Sequence, residues 1–184
     1  MNLPYIKIYD DVLHPGNCQA LIEMFEGSQT DQKIRDVNGY IKFTEINLNQ
    51  NKKWEKIIQS LVSVFMNYYK EYQEHYKIDG LQFPKQFGFE ELRMKRYLPN
   101  DYDEFKLHVD VTDLQSSKRY LSYLLYLNDV EEGGETTFGN DDSFWVKPKT
   151  GRLLMFPPLW THIHTGKKPI SGSKYILTSY NTYC

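Results

Sequence analysis

The stretch RYLSYLLYLNDVEEGGETTF, residues 119–138, decides the fold. Arg119 to Asn128 is dense in tyrosine and leucine and free of glycine and proline, so it reads as a strand. Glu132-Gly133-Gly134-Glu135 is a tight turn that needs a positive φ, which glycine supplies without steric cost. Thr136 to Phe138 then opens the next strand. A strand, a glycine turn and a second strand within twenty residues mark the heart of a sheet rather than a helical bundle.

Working outward, the same texture continues in both directions. Phe87 to Leu98 alternates in part, and Pro99-Asn100-Asp101 makes a turn before a short extended segment over Lys106 to Val111. Downstream, Ser143 to Lys147, Arg152 to Phe156 and Tyr175 to Tyr180 are further strands. Upstream the period changes. Tyr5 to Tyr9 reads as a first strand and Cys18 to Phe25 as a short helix. Trp54 to Tyr76 places Ile57, Ile58, Leu61, Val62, Phe65, Tyr69 and Tyr72 on one stripe of an amphipathic helix. Residues 27–51 are polar, with Gly39 to Phe43 as a short strand in a loop-like segment. The expected class is α+β: a double-stranded β-helix (jelly-roll, cupin-like) core flanked by N-terminal helices. No repeat or linker divides residues 1–184, so one domain is expected.

Composition narrows the function. Fifteen tyrosines and ten phenylalanines with almost no alanine favour strands. A net charge of -2 gives nucleic acid no general attraction. The charge is uneven: acids dominate from Asp101 to Asp142, whereas Lys147 to Lys174 holds bases and no acid. No apolar run approaches the roughly 18 residues of a membrane span. Residues 1–11 lack the pattern of a signal peptide, and two cysteines are too few for a disulfide framework or a zinc cluster. A cytoplasmic protein without membrane or nucleic-acid partners is expected.

The residues that carry chemistry are His108-Val109-Asp110 and a distant histidine. On a strand, i and i+2 share a face, so His108 and Asp110 can reach one ion. The third ligand must come from elsewhere, and His162 and His164 are the downstream candidates. Two histidines and one carboxylate suit the facial triad of a non-haem iron centre, and catalytic zinc as well.

Beyond these, His164, Gly166, Gly172 and Lys174 keep the spacing of a distal His, a Gly at +2, a Gly at +8 and a Lys at +10. With Tyr123 to Phe138, this run resembles the prolyl 4-hydroxylase group of Fe(II)/2-oxoglutarate dioxygenases over about the last hundred residues. The resemblance extends more weakly to Asp10-Asp11-Val12-Leu13 and Cys18. It implies Fe(II) held by His108, Asp110 and His164; the offsets to Gly172 and Lys174 select His164 over His162, which is left a supporting or structural role. It implies 2-oxoglutarate anchored by Lys174 through its C5 carboxylate, with Tyr97, Tyr126 and Thr178 as further cosubstrate contacts. It implies O2 as oxidant, ascorbate as reductant, and hydroxylation of an unactivated C–H bond with release of succinate and CO2. The substrate so implied is a prolyl residue in a peptide or protein, with residues 28–44 and 99–106 as candidate closing segments.

Alternatives follow from the same residues. The chain could hydroxylate another side chain or a free amino acid, or be a non-catalytic metal-binding jelly-roll module. Nucleic-acid demethylation is disfavoured because Lys174 stands where that relative carries arginine, and halogenation because Asp110 is present. Gly133-Gly134 reads as a structural turn, and Trp145, Phe156 and Trp160 as core or rim.

Overall fold

The computed structural model describes residues 4–184. Among the described residues, twelve strands build one antiparallel sheet that curls on itself, and two α-helices accompany it. The helices are α1 (Pro15–Glu26) and α2 (Glu55–Tyr76). The strands are β1 (Lys7–Tyr9), β2 (Lys33–Val37), β3 (Ile41–Asn47), β4 (Phe87–Phe89), β5 (Arg93–Tyr97) and β6 (Glu104–His108). They continue as β7 (Arg119–Tyr126), β8 (Thr136–Phe138), β9 (Phe144–Val146), β10 (Leu153–Phe156), β11 (His164–Gly166) and β12 (Lys174–Tyr183). The order is β1-β10-β7-β12-β5-β3-β6-β11-β8-β9, with β2 beside β3 and β4 beside β12. The expected jelly-roll core with N-terminal helices is the architecture observed.

Side-chain parity sorts the sheet's two faces. Along β12, Lys174, Ile176, Thr178 and Tyr180 line the concave interior, while Tyr175 and Leu177 pack outward. Along β7, Ser122 and Leu124 line that interior and Tyr126 packs within it, whereas Leu121, Tyr123 and Leu125 pack outward. Both faces are covered, so β7 and β10 are almost continuously apolar rather than alternating.

The outward face is sealed by α2, whose Leu61, Phe65, Tyr69 and Tyr72 are buried at helical spacing. Phe65 stacks on Tyr123 with ring centroids 4.9 Å apart. The helix stops where Lys77 adopts a left-handed conformation at φ 53°. Helix α1 starts at Pro15, where the missing N–H costs nothing, and His14 caps it by accepting from the Gly16 N–H at 3.1 Å.

Three local expectations change. The polar segment 27–51 is mostly a β-hairpin, β2–β3, turned by Asn38 (φ 49°) and Gly39 (φ 68°), a tight turn the Asn-Gly pair encodes. Strand β6 ends at His108, so Val109 and Asp110 lie beyond it. Strand β11 begins at His164, and His162, the other downstream candidate, sits in a preceding 3₁₀ turn. Phe156 is core, whereas Trp145 and Trp160 are 60% and 80% exposed.

Candidate active site

His108 and His164 face each other across the β6–β11 ladder as direct partners. Asp110 joins them from the chain just past β6. Its backbone N–H donates to the Pro158 carbonyl at 3.2 Å, and its own carbonyl accepts from Arg119 Nη1 at 2.9 Å. Leaving the strand serves the site, because i and i+2 on an extended strand stand roughly 7 Å apart. The bend brings Asp110 Oδ1 to 3.6 Å from His108 Nε2 and Oδ2 to 3.7 Å from His164 Nε2. One donor atom from each residue lies within 4.8 Å of the others.

Both imidazoles are oriented by the backbone. His108 Nδ1 donates to the Lys106 carbonyl at 2.6 Å, and His164 Nδ1 to the His162 carbonyl at 2.9 Å. Each Nδ1 proton is thereby spent, and each Nε2 lone pair turns toward Asp110. The His108 ring stacks on Phe105, 3.4 Å between centroids and 1° from parallel, and His164 packs edge-on against Phe156. Burial pushes the His164 pKa down to about 4, against the opposing pull of Asp110. Burial acts upward on the Asp110 carboxyl, but His164 and His108 outweigh it and hold the group well below the usual carboxylate range. A neutral His164 imidazole beside an ionised carboxylate suits a divalent metal. The donor set fits Fe(II).

Behind the triad lies a chamber closed by Lys174. Its ammonium donates to the Gly134 carbonyl at 3.0 Å and the Lys167 carbonyl at 3.3 Å, and sits 4.5 Å from the centre of the Tyr97 ring. The contact follows from register, since Lys174 and Tyr97 are partners across β12 and β5. Burial lowers the Lys174 pKa to about 7, with Glu135 pulling the other way. Thr178 lines the same chamber. Tyr126 is set one layer back: its hydroxyl donates to Thr136 Oγ1 at 2.7 Å, and Thr136 rather than Tyr126 reaches the chamber. The Gly133-Gly134 turn does more than close the sheet, for it presents a carbonyl to the lysine. His162 stands outside the cluster, bonded to Thr161 and to the Pro4 carbonyl.

In front of the triad an open cleft of about 740 Å³ runs along the β2–β3 hairpin and the turn around Asp113 to Ser116. Of the segments expected to close over a substrate, 28–44 contributes Arg35, Tyr40, Ile41 and Phe43 to the cleft wall, and 99–106 only Phe105.

Residues 92–182 match the family model described as the 2OG-Fe(II) oxygenase superfamily. The chain carries a 2OG-Fe(II) oxygenase domain. The matched region includes both ends of the candidate triad and Lys174. A protein of Acanthamoeba polyphaga mimivirus named "Putative prolyl 4-hydroxylase" is 27% identical over 196 residues, covering 94% of this chain and 73% of that one. Two solved structures share the fold. The viral collagen prolyl hydroxylase of Paramecium bursaria Chlorella virus-1, in its 2-oxoglutarate complex, superposes with a TM-score of 0.67 at 20% identity, covering 98% and 96% of the two chains. A Trichoplax adhaerens prolyl hydroxylase in complex with a hypoxia inducible factor peptide fragment gives 0.74 at 17% identity, covering 96% and 83%.

The oxygenase is a 2-oxoglutarate-dependent dioxygenase, and its family implies Fe(II), 2-oxoglutarate and O2. Its site holds residues that sequence reasoning passed over. Arg119 clamps Glu90 through two hydrogen bonds of 2.9 and 2.8 Å while holding the Asp110 carbonyl, and its guanidinium lies 4.2 Å from the centre of the Tyr180 ring. Tyr180, read in the sequence only as the end of a strand, borders Asp110 and helps to keep its carboxyl ionised. Lys95 lines both the cleft and the chamber. Its position two residues before Tyr97 on β5 was the available signal. No helix among the described residues is long and apolar enough to cross a membrane.

Proposed function

We propose that the oxygenase binds Fe(II) through His108, Asp110 and His164, anchors 2-oxoglutarate through Lys174, and hydroxylates a prolyl residue of a peptide or protein. The observation that carries this reading is the convergence of two Nε2 atoms and one carboxylate, with both Nδ1 protons committed to backbone carbonyls. With Fe(II), 2-oxoglutarate and O2 bound, oxidative decarboxylation to succinate and CO2 supplies the oxidant that converts C–H to C–OH.

The residues of the chain divide the remaining work. The backbone carbonyls of Lys106 and His162 fix the histidine tautomers. Arg119 and the Pro158 carbonyl hold the Asp110 backbone, so the carboxylate keeps its angle to both rings. Lys174 offers a buried ammonium to the distal carboxylate of the cosubstrate, and the Tyr97 ring and Thr178 hydroxyl shape the same wall. Tyr126 positions Thr136. The open cleft of about 740 Å³ beside the triad is the place for the peptide in this reading. The curated and solved relatives named as prolyl 4-hydroxylases or prolyl hydroxylases support proline as the target.

Residues 1–184 act as one domain in this reading, ascorbate keeps the iron ferrous between turnovers, and two free cysteines suit the reducing cytoplasm. The test is succinate release from 2-oxoglutarate under air with Fe(II) and ascorbate, with and without proline-containing peptides. Peptide-stimulated succinate with one oxygen added to proline is expected. Stimulation by proline-free peptides alone would contradict the prolyl assignment.

A further inference from the structure

The inward face of β5 carries three residues from chamber to mouth: Tyr97, Lys95 and Arg93. Tyr97 serves the chamber and Arg93 is committed, its guanidinium 3.3 Å from Glu45 and 2.9 Å from Glu91. The other acids of the cleft are committed too. Glu90 is clamped by Arg119, and Asp113 accepts from the Ser116 hydroxyl and N–H at 2.7 and 2.8 Å. Arg35, on the exposed strand β2, and Lys95, set deeper where cleft and chamber meet, are the cations of the cleft without such partners. Among the described residues the Lys95 ammonium has no hydrogen-bond or ion-pair partner, and it lies over the Phe43 ring, 5.0 Å from the centroid. Lys174, by contrast, already has two carbonyl acceptors.

A half-buried ammonium without a protein partner, where cleft and chamber meet, is open to a ligand that supplies the counter-charge. Burial is indeed the largest influence on Lys95, pushing its pKa down while Glu45 and Asp110 pull it back. An ammonium carries three donors and no acceptor, so its complement is an anion or a strong acceptor. The cosubstrate's distal carboxylate has Lys174, and Lys95 faces the cleft.

Resting on the oxygenase site described above, we propose that Lys95 is a specificity-determining residue that binds a carboxylate of the primary substrate. The substrate is then an acidic peptide segment or a molecule with a free carboxyl group near the carbon to be hydroxylated. Neutral substrates lose this contact and leave the half-buried ammonium unmatched.

The test uses trifluoroacetate, a monocarboxylate read by fluorine NMR. It is titrated into protein loaded with Mn(II) and 2-oxoglutarate, so that Lys174 is occupied, and into metal-free protein. Saturable binding is expected in the wild type, retained in Lys95→Arg, and weakened about tenfold or more in Lys95→Met and Lys95→Gln. Equal binding in wild type and both neutral variants, or none in the wild type, overturns the proposal. So does a matching loss of 2-oxoglutarate affinity in the neutral variants, which would assign the contact to the cosubstrate.

A second arm compares succinate release with paired compounds, L-proline against L-prolinamide and Glu-Pro against Gln-Pro peptides. The carboxylate member should be preferred by the wild type and not by Lys95→Met. If no prolyl compound stimulates turnover while trifluoroacetate binding still depends on Lys95, the prolyl reading fails and the Lys95 assignment stands.

Discussion

In the proposed function, Lys174 is the residue that distinguishes an empty from a loaded cosubstrate chamber. Burial leaves its pKa at about 7 before any counter-ion arrives. A bound carboxylate favours the charged form and must raise that value. Binding of 2-oxoglutarate above pH 7 should therefore take up a proton, and affinity should fall as pH rises from 7. Calorimetry in buffers of different ionisation enthalpy measures the uptake. It should vanish in Lys174→Met, with 2-oxoglutarate bound about tenfold or more weakly. Proton release, or unchanged affinity in that variant, would remove Lys174 from the cosubstrate site. Lys174 was legible in the sequence through its offset from His164. Arg119 was not, because its role depends on Glu90 and Asp110, which only the folded sheet brings beside it.

Among the elements, the Gly133-Gly134 turn ties sheet to site. Gly133 has φ +73°, and a Cβ there would stand 2.3 Å from the Lys168 carbonyl oxygen. Gly133→Ala should cost about 1–3 kcal/mol in denaturant-midpoint measurements and weaken 2-oxoglutarate binding through the neighbouring Gly134 carbonyl. A variant as stable as the parent would mean that the turn relaxes freely. The turn was readable because paired glycines have few other uses, and α2 because its apolar stripe runs for six turns. The β2–β3 hairpin was largely missed: β2 is exposed along its whole length, and so carries no alternating pattern to mark it as a strand. The end of β6 was missed for a different reason. His108-Val109-Asp110 fits an extended strand in sequence, and only the Pro158 and Arg119 contacts turn Asp110 out of it.

Over the whole molecule, the curled sheet buries ionisable groups that respond to acid. The folded pKa of His164 lies at about 4 against 6.5 for a free side chain, so between these values the unfolded chain binds the extra proton. The His164 contribution is complete above pH 6.5 and is lost as pH falls toward 4. Metal-free protein should therefore unfold at lower denaturant between pH 6.5 and 4. A His164→Gln variant should show a shallower decline, and an identical slope would exclude His164 as its source. Metal affinity should fall over the same range, since both histidines must be neutral to ligate. The most direct measurement of the central claim is anaerobic titration of Fe(II) with 2-oxoglutarate, read by bound iron and the visible absorption of the Fe(II)–2-oxoglutarate chelate. The wild type should bind one iron per chain and develop the absorption, and Asp110→Ala should bind iron about a hundredfold or more weakly while remaining folded. Full iron binding and absorption in Asp110→Ala would contradict the assignment of the centre to His108, Asp110 and His164.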